Sequence, residues 1–193
     1  MTQPLNDFSL ITRLQQGHLE ALGQLFDLYR LSVFRTSLAI TRDPHTAEDI
    51  LQETFLRLNT YAHRLDPNRP VLPWLYRVAI NLSRTYVTRR ARWFITPFDD
   101  FLERLVSPFS QRPEPLAEQN EETNAVYAAL QTLKFDQRVA IVLFYVNELS
   151  VEEIADVLDC PIGTIKSRLY YGRQNLKKCL LNETDLFSAL GWV

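Results

Sequence analysis

From Asp7 to about Arg92 the apolar residues recur at helical spacing, as in Leu22, Leu25, Phe26, Tyr29 and Val33. That spacing predicts amphipathic helices gathered on one core. Asp43-Pro44 ends one run and starts another, and "DPNRPVLP" (66–73) interrupts the pattern again, because proline cannot continue a helix. A second helical block runs from Thr123 to about Leu181 with few breakers. Between the two blocks stand Pro97, Pro108, Pro113 and Pro115. That density of proline forbids one continuous helix and predicts a linker. Phe94, Phe98, Phe101, Leu102, Leu105 and Phe109 make it an apolar linker, one expected to dock on something. The pattern predicts an all-α chain of two small helical domains, 1–92 and 123–181. A linker over 93–122 joins them and a tail follows over 182–193. No internal repeat or low-complexity tract is visible.

The second block contains two strong local signals. In "LSVEEIADVL" (149–158), Ser150 and Glu153 have capping-box spacing, and Leu149 with Ile154 have the spacing of a hydrophobic staple. The helix they start is expected to end near Leu158. Asp159-Cys160 then turns the chain, and Pro161 suits the first position of a following helix. In that helix Ile165, Leu169, Gly172, Leu176 and Leu180 form an inward stripe. Thr164, Ser167, Tyr171 and Gln174 face outward, flanked by Lys166, Arg168, Tyr170 and Arg173. Two short helices joined by a tight turn, the second basic and polar outside, make a helix-turn-helix. Cations meet phosphates, while Ser, Thr, Gln and Arg reach base edges. A basic helix by itself is most simply a solvated face. The agreement of cap, turn and polar groups favours DNA binding instead.

Two further faces carry candidate chemistry. In "WLYRVAINLSRTYVTRRAR" (74–92), Leu75, Val78, Ala79, Leu82 and Tyr86 are the expected inward stripe. Trp74, Arg77, Asn81, Arg84 and Thr88 lie on another face, which Arg89, Arg90 and Arg92 extend without any acid. An exposed aromatic beside cations and an amide suits unpaired bases. Trp74 taken alone reads as a core residue, and it can serve both ends. In "AEDILQETFLRL" (47–58), Ala47, Leu51, Thr54 and Leu58 share an inward stripe, while Asp49, Gln52, Glu53 and Leu56 share the opposite one. An acidic stripe with an exposed leucine suits protein docking. For the stripe by itself, a solvated face is an equally good reading.

Composition sharpens this picture. The 193 residues carry a net charge of −2, yet residues 161–178 hold Lys166, Arg168, Arg173, Lys177 and Lys178 and no acid. The charge is segregated, with Glu152, Glu153 and Asp156 on the helix before. Five glycines and a hydrophobic content of 46% fit a helical globular protein. No apolar run has the length of a membrane span, and "MTQPLNDFSL" lacks a basic-then-apolar signal. Cys160 and Cys179 form neither a disulfide framework nor a metal set, which fits a reducing cytoplasm. Cys160 reads as a buried or capping small residue. No nucleophile, metal or cofactor spacing appears, so neither enzyme chemistry nor a cofactor is expected.

Taken together, "AEDILQETFLRL", "WLYRVAIN" with its basic run, and "LSVEEIADVLDCPIGTIKSRL" resemble bacterial extracytoplasmic-function (ECF) sigma factors over nearly the whole chain. The resemblance implies a cytoplasmic transcription initiation factor whose region two docks on the RNA polymerase β′ subunit. Asp49, Gln52 and Glu53 would take that role. It implies that the minus-ten element is melted around "WLYRVAIN", where Asn81 matches the family's usual asparagine and Trp74, Arg77 and Arg84 lie close by. It implies that region four reads the minus-thirty-five element through Thr164, Lys166, Ser167, Arg168, Tyr171 and Arg173. The linker would thread polymerase channels, so that both β and β′ are partners beside promoter DNA. An anti-sigma factor is a further candidate partner. The sequence departs from the family pattern at Leu65, where phenylalanine is common, at Thr85, at Lys134, and at Tyr171, where arginine is common. A stand-alone helix-turn-helix regulator would explain 148–181, but would need no exposed-base face at 74–92. A helical adaptor would explain 47–58 and an apolar tail (Leu186, Phe187, Leu190, Trp192), but not two acid-free basic helices.

Overall fold

The computed structural model describes residues 4–93 and 121–181. The expectations for the apolar linker and for the C-terminal tail lie outside these residues. Among the described residues there are eight α-helices and no strand. They are α1 (Pro4–Gln15), α2 (Leu19–Thr41), α3 (Pro44–Tyr61), α4 (Leu72–Trp93), α5 (Glu121–Thr132), α6 (Phe135–Tyr145), α7 (Val151–Leu158) and α8 (Ile162–Leu181). A 3-10 turn spans Ala62–Arg64. None of the described helices is long and apolar enough to cross a membrane.

Local chemistry explains the breaks. Gly17 takes φ 89° between α1 and α2, a conformation that an L side chain resists. Asp43 caps α3, accepting from the backbone N–H of His45 and Thr46, with Pro44 just inside the helix. Burial alone would raise the Asp43 pKa. Hydrogen bonds from the Thr46 and Tyr86 side chains and from the Thr46 and His45 backbone outweigh it and hold the carboxyl below its ordinary range.

The first four helices close over Leu10, Ile11, Leu14, Ala21, Leu25, Val33, Ile50, Phe55, Leu58 and Leu75. The buried Asp7 carboxylate pins this bundle. It accepts from Tyr29 Oη at 2.6 Å and from the backbone N–H of Val71 at 3.0 Å, tying the start of α4 to α1 and α2. Burial first, and then the bond to Asp7, push the Tyr29 phenol well above its ordinary pKa, so it remains a donor.

The second core does not belong to the C-terminal helices alone. Ala39 and Ile40 of α2 and Tyr76 and Ile80 of α4 share one buried cluster with Leu130, Leu133, Val139, Leu143, Ile154, Ile165 and Leu169. This corrects the stripe expected for α4. Leu75 and Ala79 are buried as expected, whereas Val78, Leu82 and Tyr86 are only half-buried. Tyr76 and Ile80 are buried instead, because α7 and its neighbours cover a second side of the helix.

Polar groups seal the same junction. Asn147 Nδ2 donates to Thr36 Oγ1 and Tyr76 Oη, both at 2.9 Å. The buried Arg138 donates to the carbonyls of Ile40 (2.7 Å), Gln131 (3.0 Å) and Leu133 (3.2 Å), and to the Gln131 side chain. Gln131 Nε2 in turn donates to the carbonyls of Ala39 and Ile40. Neither α2 nor α5 has a basic residue in its last turn. One guanidinium from α6 supplies the positive charge that both C-terminal dipoles favour.

Candidate nucleic-acid interface

The helix-turn-helix forms from its predicted local signals. The Ser150 backbone N–H donates to Glu153 Oε2 at 2.8 Å, and the Glu153 N–H donates to Ser150 Oγ at 3.2 Å, completing the capping box. The bonds from the Ser150 backbone and then its hydroxyl hold the Glu153 carboxyl below its ordinary pKa. Asp159, at φ 49°, ends α7 in the left-handed region, and its N–H donates to the Ala155 carbonyl. Pro161 stands one place earlier than expected. It precedes α8 rather than opening it, and its carbonyl accepts from the N–H of Thr164 and Ile165. Ile165, Leu169, Gly172 and Leu176 are buried; the Leu180 side chain lies outside the described residues. At Gly172 a Cβ would sit 3.0 Å from Ile141 Cγ1, so α8 and α6 meet there without room for a side chain.

The outer face of α8 is as expected. Lys166, Ser167, Tyr170, Tyr171, Arg173 and Gln174 are exposed, and Thr164 and Arg168 are half-buried. Ser167 Oγ donates to the Thr164 carbonyl at 2.9 Å. Tyr170 and Tyr171 meet edge to face at 5.3 Å. Arg173 lies over the Phe144 ring at 5.6 Å, a contact that leaves its charge near the surface. Arg168 differs from these, because its Nη2 lies 3.5 Å from Asp136.

On α4, Arg77, Asn81, Arg84 and Thr88 are exposed, and Trp74 is half-buried against the N-terminal core. Trp74 therefore packs on the core while part of its ring stays accessible. The side chains of Arg90 and Arg92 lie outside the described residues. Two of the cations are not free, contrary to the reading of an open face. Arg77 donates to the carbonyls of Val157 (3.0 Å, through Nε) and Asp156, at the end of α7. Arg84 Nη2 sits 2.6 Å from Asp136 Oδ1 and its guanidinium lies over the Phe135 ring at 4.4 Å. Arg77, Asn81, Arg84, Asp136 and Arg168 line one cleft of about 300 Å³ between α4 and the helix-turn-helix. A larger open groove of about 1430 Å³ runs alongside, past Arg64, Arg69, Trp74, Arg77 and Asp159.

On α3, Asp49, Gln52 and Leu56 are exposed, while Ala47, Ile50, Thr54, Phe55 and Leu58 are buried. Glu53 is half-buried and pairs with Arg57 at 2.7 Å within its own helix. Of the departures from the family pattern, Leu65 packs on the N-terminal core, and its carbonyl accepts from Gln15 Nε2 at 2.9 Å. Thr85 is exposed and donates to the Asn81 carbonyl. Lys134 caps α6 through its backbone.

Sequence reasoning missed Asp136, Arg138 and Asn147. Only Arg138 left any signal, as a cation at the start of the apolar run "RVAIVLF". Its partner Ile40, like the partners of the other two, is distant in the chain.

The family described as Sigma-70 region 2 matches residues 25–93, and the family described as Sigma-70, region 4 matches residues 123–176. The chain is 33% identical over 156 residues to the ECF RNA polymerase sigma factor SigM of Bacillus subtilis, covering 81% of this chain and 93% of that protein. The solved structure of CnrH in complex with the cytosolic domain of CnrY has the same fold, with a TM-score of 0.70 and 24% identity over 93% of this chain and 99% of that one. So does the sigma factor RpoE in complex with the anti-sigma factor NepR from Bartonella quintana, with a TM-score of 0.64 and 24% identity over 84% and 97%.

Proposed function

Because the chain belongs to the ECF RNA polymerase sigma factors, we propose specific residues for the three tasks of such a factor. It directs core polymerase to promoters and opens them for initiation. On this reading the exposed stripe of α3, with Asp49, Gln52 and Glu53, docks on the polymerase. Region four reads the upstream element through the outer face of α8, with Thr164, Lys166, Ser167, Arg168, Tyr171 and Arg173. Region two captures the minus-ten strand through Trp74, Arg77, Asn81 and Arg84. The factor has no catalytic activity of its own and works in the cytoplasm. An anti-sigma factor, of the kind bound to the RpoE neighbour, is a further expected partner.

One observation carries the melting role. Asn81 is an exposed amide on α4, with cations one turn to either side. An amide can donate to and accept from the edge of an unpaired base, an edge that a duplex hides. Opening then runs on binding energy, and base capture must offset an unstacking cost of a few kcal/mol. The overall charge of −2 suits this division of labour, since affinity for any duplex comes mainly from phosphate neutralisation.

The experiment is transcription with core polymerase. Asn81→Ala is expected to retain polymerase docking and upstream duplex binding, and to lose the permanganate reactivity of unpaired thymines at the minus-ten element. A promoter already mismatched there should recover part of the activity. Opening of a fully paired promoter as fast as the parent would make Asn81 structural.

A further inference from the structure

Two neighbouring tyrosines interrupt the basic outer face of α8. Tyr170 is 60% exposed and Tyr171 57%. Their rings meet edge to face at 5.3 Å, inclined by 78°. A single exposed aromatic is ordinary on a protein surface. These two pack on each other, within a segment whose cations Lys166, Arg168, Arg173, Lys177 and Lys178 are accompanied by no acid. Helical geometry gives the two rings different company. Tyr170 shares one edge of α8 with the exposed Lys166, Arg173 and Lys177, at spacings of four, three and seven residues. Tyr171 shares the other edge with Thr164, Ser167 and Gln174, at spacings of seven, four and three. Side chains at such spacings stand above one another on a helix. The first edge has the chemistry for phosphates, and the second has the chemistry for base edges.

We propose that Tyr171 reads the C5-methyl group of one thymine in the upstream element, and that Tyr170 is a positioning residue that holds the Tyr171 ring in place. The proposal rests on the assignment of α8 as the upstream reader and names one base that it selects. A tyrosine ring lacks the donor fork that grips guanine, and the apolar feature of the major groove is the thymine methyl group. One helical turn is about 5.4 Å and one base step about 3.4 Å. Tyr171 therefore stands one to two steps beyond the base met by Ser167. Packing against Tyr170 restricts both rings before DNA arrives, which lowers the ordering cost of binding. The occupant of this face is duplex DNA, because the rings are flanked by cations with no acid among them. Lys166, Arg173 and Lys177 draw any duplex by neutralising phosphates, and Tyr171 adds discrimination at one pair by apolar contact.

The test uses the full-length protein bound to core polymerase. Promoters are selected from a library randomised upstream, and each thymine of the selected element is then replaced in turn by deoxyuridine. Uracil pairs as thymine does and lacks only the methyl group. At one position it is expected to weaken binding by the parent about fourfold, the worth of one buried methyl group. Tyr171→Ala should bind thymine and uracil equally at that position, whereas Tyr171→Phe should keep the difference. Tyr171→Arg should move the preference there to guanine, through the fork that reaches O6 and N7. Tyr170→Ala should shrink the difference, and Tyr170→Phe, which retains the brace, should keep it. Circular dichroism checks the helices of each variant, and the comparison of thymine with uracil in the parent stands even where a variant loses them. Equal binding of thymine and uracil by the parent at every position would overturn the proposal and leave α8 as the upstream reader. So would a fourfold difference that survives in Tyr171→Ala. Loss of polymerase capture in the tyrosine variants, with their base preference intact, would make the pair a protein-docking surface and overturn it as well. Selected promoters that share no upstream sequence would instead overturn the assignment of α8 itself.

Discussion

Replacing Arg138 by methionine tests how the two halves are joined. The guanidinium is buried, and it donates to the Ile40, Gln131 and Leu133 carbonyls and to the Gln131 side chain. Methionine fills similar space with no donor. The Ile40 carbonyl would keep Gln131 Nε2 at 3.2 Å. The Gln131 carbonyl and the Leu133 carbonyl would lose the donors that reach them. A stranded buried acceptor costs about 1–3 kcal/mol, so two cost about 2–6 kcal/mol. Relief of the buried charge opposes this. That burial already lowers the Arg138 pKa, and its Nε has no partner. The expected net loss is about 3 kcal/mol. With a urea slope of about 2 kcal/mol per M, the unfolding midpoint followed by circular dichroism should fall by about 1.5 M. Arg138→Lys should recover only part, because an ammonium cannot span both helix ends as a planar fork does. A loss below about 0.5 kcal/mol for Arg138→Met would refute the reasoning, since the guanidinium would then contribute no more than it costs to bury.

Three other outcomes are expected. Asp49→Ala with Glu53→Ala should weaken capture by core polymerase at unchanged helical content, and undiminished capture in a pull-down would remove the outer face of α3 from the interface. Lys166→Ala should weaken promoter binding by a similar factor across a promoter library, as for a phosphate contact. A change of preference at one base pair would make Lys166 a base reader, with about 1–3 kcal/mol at stake. Asp43 has a lowered folded-state pKa, so its contribution is present above its unfolded pKa and is lost as pH falls through the folded value. Thermal melts of Asp43→Asn should therefore differ from the parent near neutrality and converge with it on acidification below about pH 4; a constant gap would show that the charge is not what matters.

The helix-turn-helix was legible because its determinants are neighbours in the chain. Ser150 and Glu153 satisfy each other's backbone within one helical turn, Asp159 ends α7, and the 3.6-residue period puts Ile165, Leu169, Gly172 and Leu176 on one side. The cap of α3 at Asp43 and the outward Asp49, Gln52 and Leu56 follow from rules of equally short range. The second buried side of α4 was not legible. Tyr76 and Ile80 are apolar residues beside an already sufficient stripe, and nothing nearby says what will cover them. Arg84 meets Asp136 across 52 positions, Arg77 meets Val157 across 80, and Arg138 meets Ile40 across 98. Periodicity reports which side of a helix avoids water, but not which distant surface arrives to exclude it. Arg77 and Arg84 read as free cations for the same reason. A charged side chain is marked in the sequence by its type, while its partner is chosen by the packing of helices that the chain brings together only after folding.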